Sequence, residues 1–523
     1  MKQMRMRGRG LARGRMGATA VAALLVVACG GGGDESADKL ASQGSSASCG
    51  SRVNNTFDKL LECVTLDGVR SHQAALQAIA DANGGVRAAG TPGYDQSVAY
   101  IVSQMTAAGY NVTLNAFPFT YVALPLLQQT APLAATYESG TFTGTGYGDV
   151  SANVTAVDIN LVPPRASTSG CEAADFAGFP AGNIALVQRG TCTFAAKALN
   201  AQAAGASAVI IFNQGNTPER EPLIVGTLLP GGEAVTIPVV GASFADGTSL
   251  AQAGAAARVR VDAPQQVMQY NVIAESRDGD PNNVVMAGAH LDSVLRGPGI
   301  NDNGSGSAAI LETAIQMAKV KPRNKLRFAW WGAEESGLLG STAYVAGLSA
   351  EDKAKIALYL NFDMVGSPNH VFFIYDGDDS DLEGAGPGPG GSAEIEKTFE
   401  AFFTQRGLPF KGTDFSGRSD YGPFIANLIP AGGLFTGAEG VKTADEAALW
   451  GGTAGQPYDP CYHLRCDTYA NNNDTALDVN SDAVAYAVLQ FSMNTQVVNG
   501  RRGKGNFKMP LDQEDDHHGN ATR

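Results

Sequence analysis

Residues 284–303 read VVMAGAHLDSVLRGPGINDN, and this stretch decides the fold expected for the rest of the chain. An apolar run at 284–289 ends abruptly in His290, and Asp292 and Asp302 follow. Such a run is typical of a buried strand whose tip carries polar groups. Because ligands of open α/β sheets bind at the carboxyl ends of strands, we expect a metal or acid/base site at this tip.

Short apolar runs alternate with amphipathic segments along the second half of the chain. Strands are predicted at 284–289, 325–331, 356–362, 371–375 and 431–435, and helices at 306–320, 337–348, 393–405 and 482–494. Strands that alternate with helices favour an α/β sheet covered by helices on both faces. A helix at 97–108 and a strand at 110–119 assign 49–121 to the same domain, whose main part is predicted at 266–499.

The first 29 residues have the pattern of an export signal. Lys2 and five arginines precede an apolar run at 18–27, which is too short to span a membrane comfortably. The run ends in Ala28 and Cys29 before four glycines, as at a lipoprotein cleavage site, so Cys29 would carry the lipid. Ordinary cleavage near Ala28 is the alternative. Residues 30–48 are predicted to be a linker and 500–523 a polar tail.

The charge of the chain excludes one class of partner. The net charge is −14, and removal of residues 1–29 takes away six basic residues and no acidic one, which leaves 31 − 51 = −20. Nucleic-acid binding depends on the neutralisation of phosphates by basic side chains. A chain with this negative net charge is therefore not expected to bind nucleic acid.

The seven cysteines agree with export. When Cys29 is set aside, the other six form three neighbouring pairs: 49 with 63, 171 with 192, and 461 with 466. An even set of cysteines in an exported chain predicts disulfides, and nearest-neighbour pairing is the hypothesis. A cysteine metal site is less favoured, because no CxxC spacing occurs.

Residues 122–265 differ in composition from the sequence on either side. They are poor in charge and contain short β-branched runs separated by Gly and Pro. The stretch CEAADF…GNIALVQRGTCTFAAKALNAQAAGASAVIIFN resembles the protease-associated domain, a small β-rich module inserted in secreted and lysosomal peptidases. This segment contains no histidine, and we expect no catalytic group in it.

Five further polar residues follow predicted strands or lie in a late loop. They are Glu334, Glu335, Asp363, Tyr462 and His463. With His290 and Asp302 they supply two imidazoles and several carboxylates, the nitrogen and oxygen ligands that catalytic zinc prefers. Two zinc ions that share a water need one histidine each, about three carboxylates and a further carboxylate as proton acceptor. The sequence supplies this number.

Five motifs carry a resemblance to a known family. HLDS…GINDNGSG, WWGAEESGLLGS, NFDMVG, GRSDYGPF and CYHLRCDT resemble the secreted bacterial zinc aminopeptidases, whose family also contains the glutamate carboxypeptidases and transferrin receptor. The resemblance implies a three-layer α/β/α fold with a mixed central sheet and an inserted protease-associated domain. It also implies the metal ligands: His290 and Asp363 for one zinc, Glu335 and His463 for the second, and Asp302 as the bridge between them.

The resemblance implies roles for four other residues. Glu334 would be the general base that takes the proton of the attacking water. Asp292 would orient His290 through its other ring nitrogen. Tyr462 would donate a hydrogen bond to the developing oxyanion, and Arg418 would help to frame the free N-terminus of the substrate.

Each of these residues also has an ordinary structural interpretation. A single histidine is more often structural than a ligand. The adjacent acids Glu334 and Glu335 are typical of a solvated helix start, Asp292 of a helix cap, Tyr462 of packing and Arg418 of a surface ion pair. Their joint occurrence in family order favours the metal site.

Two features leave details open. Asn303 follows Asp302 where many relatives have a second acid, a position that is not itself a ligand. Some relatives carry a structural calcium ion, and Asp474 and Asp478 are acidic positions that allow one here.

The function expected from these observations is that of an exported di-zinc aminopeptidase, either a cell-envelope lipoprotein or a secreted protein. Peptides are the expected substrates, with a large apolar N-terminal residue, and membrane contact is expected only through a lipid on Cys29. A carboxypeptidase or dipeptidase of the same family is the alternative. A non-catalytic surface binding protein is a further one, although no expected ligand is missing.

Overall fold

The computed structural model describes residues 46–507, except 230–233, 383 and 385. The predicted signal segment with Cys29, most of the predicted linker and the end of the predicted tail lie outside the described residues. Within the described part of the chain, no helix has both the length and the hydropathy that a membrane span requires.

The strands of the described residues belong to two sheets. They are β1 (Asn111–Tyr121), β2 (Leu126–Ala131), β3 (Ala135–Tyr137), β4 (Gly148–Ala156), β5 (Ile184–Gln188), β6 (Ala208–Phe212), β7 (Val239–Ala242), β8 (Ala256–Val261), β9 (Gln265–Glu275), β10 (Asp280–His290), β11 (Asn324–Trp331), β12 (Ile356–Phe362), β13 (Phe373–Tyr375), β14 (Lys411–Thr413) and β15 (Ala431–Phe435).

The helices range from one turn to twenty residues. They are α1 (Ser46–Ser51), α2 (Phe57–Leu61), α3 (Leu66–Ala82), α4 (Pro92–Ala108), α5 (Phe194–Ala203), α6 (Phe244–Leu250), α7 (Gly304–Met317), α8 (Leu339–Gly347), α9 (Ala350–Lys355), α10 (Ser392–Gln405), α11 (Gly422–Ile425), α12 (Ala444–Trp450), α13 (Asp474–Met493) and α14 (Gln496–Asn499).

The larger sheet has eight strands in the order β1-β9-β11-β10-β12-β15-β13-β14. Strands β11, β10, β12 and β15 run parallel to one another, whereas β9 is antiparallel to β11 and β13 is antiparallel to β15. The sheet is therefore mixed, as the sequence predicted.

Helices cover both faces of this sheet. Successive side chains of a strand point to opposite faces, so neighbouring residues of β10 show what packs on each face. Val285 of β10 belongs to one buried core with Ile310 of α7. Its neighbour Val284 belongs to another core with Tyr344 of α8 and Phe424 of α11. The predicted three-layer α/β/α fold is confirmed.

The second sheet has seven strands in the order β3-β2-β8-β4-β5-β6-β7, all of which lie between β1 and β9 in the chain. Strands β4 to β7 are parallel, and β8 is antiparallel to β2 and β4. The chain leaves the larger sheet through β1 and returns through β9, and these strands pair antiparallel with Tyr121 opposite Gln265. The second sheet is thus an insertion between two neighbouring strands.

Two helices begin earlier than the sequence indicated. Helix α4 starts at Pro92 instead of 97, because proline at the first helical position has the right φ and lacks only a surplus N–H. Helix α13 starts at Asp474 instead of 482, where the side chain of Asn473 accepts a hydrogen bond from the N–H of Ala476. The predicted start at 482 left the run NNND (471–474) outside the helix, although it contains this cap.

The three nearest-neighbour disulfides are present. They join Cys49 to Cys63, Cys171 to Cys192, and Cys461 to Cys466.

Candidate metal centre

Three neighbouring parallel strands bring polar side chains to one edge of the larger sheet. His290 is the last residue of β10, and Asp363 follows the end of β12. Glu334 and Glu335 come just after β11. Because β10 lies between β11 and β12, these side chains meet where the sequence placed the site.

The loop after β10 brings Asp302 to the same edge. Asn303, the next residue, caps α7 by accepting a hydrogen bond from the N–H of Gly306 at 2.9 Å. The Asn303 side chain also donates to the carbonyl of Phe362 at 2.9 Å. Asn303 thus anchors the start of α7 to the end of β12, which fixes Asp302 beside Asp363.

Left-handed backbone conformations occur at three of the turns that carry these groups. Ala333 precedes Glu334 and has φ 55°, Met364 follows Asp363 and has φ 50°, and His463 itself has φ 59°. Such conformations cost about 1–3 kcal/mol each for residues other than glycine, and they persist only where the surroundings enforce them. These turns therefore direct the side chains of Glu334, Asp363 and His463 towards the site.

Asp302 lies between two imidazoles. Its Oδ1 is 3.2 Å from Nε2 of His290, and its Oδ2 is 3.2 Å from Nε2 of His463. His290 Nε2 is also 3.3 Å from Asp363 Oδ1, and His463 Nε2 is 2.9 Å from Glu335 Oε2. Ligands of one tetrahedral zinc ion are about 3.3 Å apart, given zinc–ligand bonds of about 2.0 Å. The spacing therefore resembles two ligand sets joined by one carboxylate.

Two buried oxygens of this cluster have no hydrogen-bond partner. They are Oε1 of Glu335 and Oδ1 of Asp363, the second of which has only the 3.3 Å ionic contact with Nε2 of His290. A buried carboxylate oxygen without a partner is costly, and a cation is one way to satisfy it. Together with the nitrogen and oxygen donors, these atoms fit the binding of zinc.

Burial perturbs the acids of the site. It raises the pKa of Glu334 well above its usual range, partly offset by His290, whose Nε2 is 3.9 Å from Oε2 of Glu334. Burial opposes the ionisation of Asp302 as well, but hydrogen bonds from His290 and His463 hold the pKa of Asp302 well below its usual range. Glu334 is thus the acid better prepared to hold a proton, and Asp302 is prepared to stay ionised.

Asp292 contacts both His290 and the turn after β11. The nearer partner of His290 Nδ1 is the backbone carbonyl of Asp292 at 3.1 Å, while the carboxylate of Asp292 lies 3.7 Å away. That carboxylate accepts the backbone N–H groups of Glu334 at 3.1 Å and Glu335 at 3.4 Å. Asp292 therefore joins the tip of β10 to the turn after β11.

A cavity of about 710 Å³ opens onto the cluster. Apolar side chains of the strands form part of its wall, among them Phe373, Tyr375 and Phe435. Tyr462 also lines the cavity, and its ring stacks on that of His463 with 3.8 Å between the ring centroids. The cavity thus combines apolar walls with a charged end.

Arg418 lies in the wall of this cavity, beside Tyr462. Its guanidinium donates to Glu439 at 2.9 Å, and both side chains are more than half exposed. Arg418 lies in the motif GRSDYGPF, whereas Glu439 lies in none of the five motifs.

Two other contacts were missed, although both residues belong to motifs quoted above. Ser419 of GRSDYGPF donates to Oδ2 of Asp363 at 2.6 Å. Asp467 of CYHLRCDT accepts the backbone N–H of Asp302 at 3.0 Å. Their position inside these motifs was the sequence signal that could have identified them as site residues.

Known protein families match both parts of the chain. The sequence profile of peptidase family M28 matches residues 271–488, and that of the PA domain matches 157–250. An aminopeptidase of Pseudomonas aeruginosa is 52% identical over 451 residues, 84% of this chain and 83% of that protein. The chain belongs to peptidase family M28.

Two further aminopeptidases are similar to this chain. A probable lipoprotein aminopeptidase, LpqL, of Mycobacterium tuberculosis is 42% identical over 454 residues, 84% of this chain and 87% of that protein. The structure of a zinc aminopeptidase from Bacillus subtilis has a TM-score of 0.54 and 25% identity, and the match covers 81% of this chain and 94% of that one. The predicted metallo-exopeptidase of this family, with its inserted protease-associated domain, is confirmed.

Proposed function

We propose that this M28 peptidase is a di-zinc aminopeptidase that removes N-terminal residues with large apolar side chains from peptides. The observation that carries the proposal is the position of Asp302, whose two oxygens each lie 3.2 Å from a different imidazole. His290 and Asp363 would hold one ion, and Glu335 and His463 the other. When bound, the ions would acidify a water molecule and polarise the scissile carbonyl.

The protein's own groups would then move the proton. Glu334 would accept it from the attacking water and deliver it to the leaving nitrogen, a task suited to a carboxyl whose pKa burial has raised. Asp292 would keep Glu334 in place through the backbone of the turn. The hydroxyl of Tyr462 would donate to the carbonyl oxygen as its negative charge develops.

The cavity supports the proposed preference for an apolar residue. Its aromatic wall is a surface on which a leucine-like side chain loses contact with water, at a gain of about 25 cal/mol per Å². Arg418, paired with Glu439, would help to frame the free amino terminus, which lies next to the scissile carbonyl.

Export is also part of the proposal. The three disulfides support an oxidising compartment. The predicted signal with Cys29, and the lipoprotein named among the relatives, support a lipid anchor. Calcium at Asp474 and Asp478 stays a prediction, and Asp474 is paired with Arg70 at 3.4 Å.

The decisive experiment compares a leucyl peptide with its N-acetylated form, in the metal-free protein and after addition of zinc. We expect cleavage of the free-amine peptide alone, its loss on chelation, its return with zinc, and about two zinc ions per chain. Release of the C-terminal residue from the blocked peptide would instead establish a carboxypeptidase. Absence of hydrolysis by the zinc-loaded protein would favour a binding protein.

A further inference from the structure

A buried network joins the loop of Asp302 to the loop of His463. Asp467, directly after Cys466, is fully enclosed. Its Oδ1 accepts the backbone N–H of Asn301 at 2.8 Å, and its Oδ2 accepts that of Asp302 at 3.0 Å. Both oxygens are thus used on two successive residues, which prevents that backbone from shifting along the carboxylate.

The other end of the disulfide loop is held on the same network. Asp459 accepts the side-chain N–H of Asn301 at 2.7 Å and the backbone N–H of Cys461 at 2.8 Å. Asn471 donates to Asp459 at 2.9 Å and to Asp467 at 3.2 Å. The loop that carries Tyr462 and His463 is therefore fixed at both ends to residues 301–302.

We propose that Asp467 is a positioning residue that sets the distance between Asp302 and His463, and thereby the affinity of the metal position that these two share with Glu335. The inference rests on the proposed function, because it assumes that these residues bind zinc. Groups that hold ligands in place alter metal affinity by about 10–100-fold when they are changed. A merely structural role for Asp467 would lower the stability of the metal-free chain without favouring one metal position over the other.

The variant that tests the inference is Asp467→Asn, which keeps the shape but turns an amide NH₂ towards one of the two N–H donors. The matched control is Glu446→Gln, because Glu446 is also buried and accepts the backbone N–H of Thr443 at 2.9 Å and the hydroxyl of Tyr458 at 2.7 Å. Zinc is titrated into each metal-free protein against a chelator, and the thermal midpoint without metal is recorded. His463→Ala lacks one ligand of the position shared by Asp302, Glu335 and His463. The zinc-binding step that is absent from its titration therefore belongs to that position.

We expect that step to weaken about 10–100-fold in Asp467→Asn, the other step, which shares Asp302, to weaken less, and both to be unchanged in Glu446→Gln. Equal affinities in Asp467→Asn and wild type, or an equal loss in both steps, would overturn the inference. Failure of the wild-type protein to bind zinc would overturn the proposed function instead.

Should Asp467→Asn not fold, Asn471→Ala replaces it, because it removes only the tether between the two acids. A smaller loss that is greater in the same step would then support the inference, and an unchanged titration or an equal loss in both steps would overturn it.

Discussion

The two sheets of the molecule both present the ends of parallel strands, but the polar groups there differ in kind. In the inserted sheet, Gln188 ends β5 and donates to the carbonyls of Asn160 at 3.0 Å and Gln214 at 3.1 Å. It also accepts the N–H of Asn160 at 2.7 Å. Asn213, just after β6, donates to the carbonyl of Pro222 at 2.9 Å. Neutral amide side chains at these strand ends are thus hydrogen-bonded to the backbone of neighbouring loops.

At the corresponding edge of the larger sheet, the groups are charged and incompletely paired. Glu335 and Asp363 each keep a buried oxygen without a hydrogen-bond partner. Parallel strand ends therefore offer a place for chemistry, and the side chains there decide whether it is used. Satisfied amides make a stable loop, whereas unsatisfied acids beside imidazoles make a candidate site.

The largest effect expected at the charged edge comes from Glu334→Gln. The amide cannot accept a proton from water, so kcat should fall by about 10²–10⁴-fold, while zinc content stays at the wild-type value. Steady-state kinetics with a leucyl substrate and metal analysis measure the two quantities. Near-normal kcat would remove Glu334 from the role of general base, and loss of zinc would make it a ligand, since it also lies near His290 and Asp363.

A smaller effect is expected from Asp292→Asn, which weakens the link between the tip of β10 and the turn after β11. The amide NH₂ would face one of the N–H groups of Glu334 and Glu335, which the carboxylate now accepts. We expect a loss of about 10–100-fold in kcat or zinc affinity. An unchanged enzyme would mean that the backbone carbonyl alone orients His290.

A change at the strand ends of the inserted sheet should lower the free energy of unfolding and leave catalysis unchanged. Gln188→Leu leaves the N–H and carbonyl of Asn160 and the carbonyl of Gln214 without their partner, at a cost of about 1–3 kcal/mol. Denaturant unfolding measures this cost, and kcat/KM below the transition should stay at the wild-type value. A parallel fall in kcat/KM would show that the two sheets do not act separately.

The smallest effect concerns Lys197 of the inserted sheet's helix α5, whose pKa is lowered to about 8 by burial, partly offset by Asp175 and Asp158. Between about pH 8 and 10.5 the folded protein has released this proton and the unfolded chain still holds it. The unfolded state binds more protons there, so this residue's contribution to stability rises with pH.

Lys197→Met removes that contribution. The thermal midpoint of the variant relative to wild type should therefore fall by a few degrees as the pH rises from 8 to 10. The surface change Lys321→Met is the control and should show no such trend. A pH-independent difference would mean that Lys197 is not buried as a neutral amine.

The sequence predicted the bounds of β12 and β15 to the residue, because each is an apolar run with a sharp polar end. It also located the side chains that meet at the edge of the larger sheet, since the motifs that contain them stand at strand ends. The contact between Asp292 and the backbone of Glu334 and Glu335 was not accessible in this way. It depends on the register of β10 on β11, which places His290 opposite Trp331, and periodicity does not give register.

The pairing of β1 with β9 has a consequence for how such a chain can be assembled. Tyr121 and Gln265 face each other across an antiparallel pair, so the insertion leaves and re-enters the sheet side by side. A turn of two to five residues spans such a gap. The intervening segment can therefore be gained or lost as a single cassette, in a gene or in the laboratory, and its removal would leave an ordinary hairpin at the edge of the peptidase sheet.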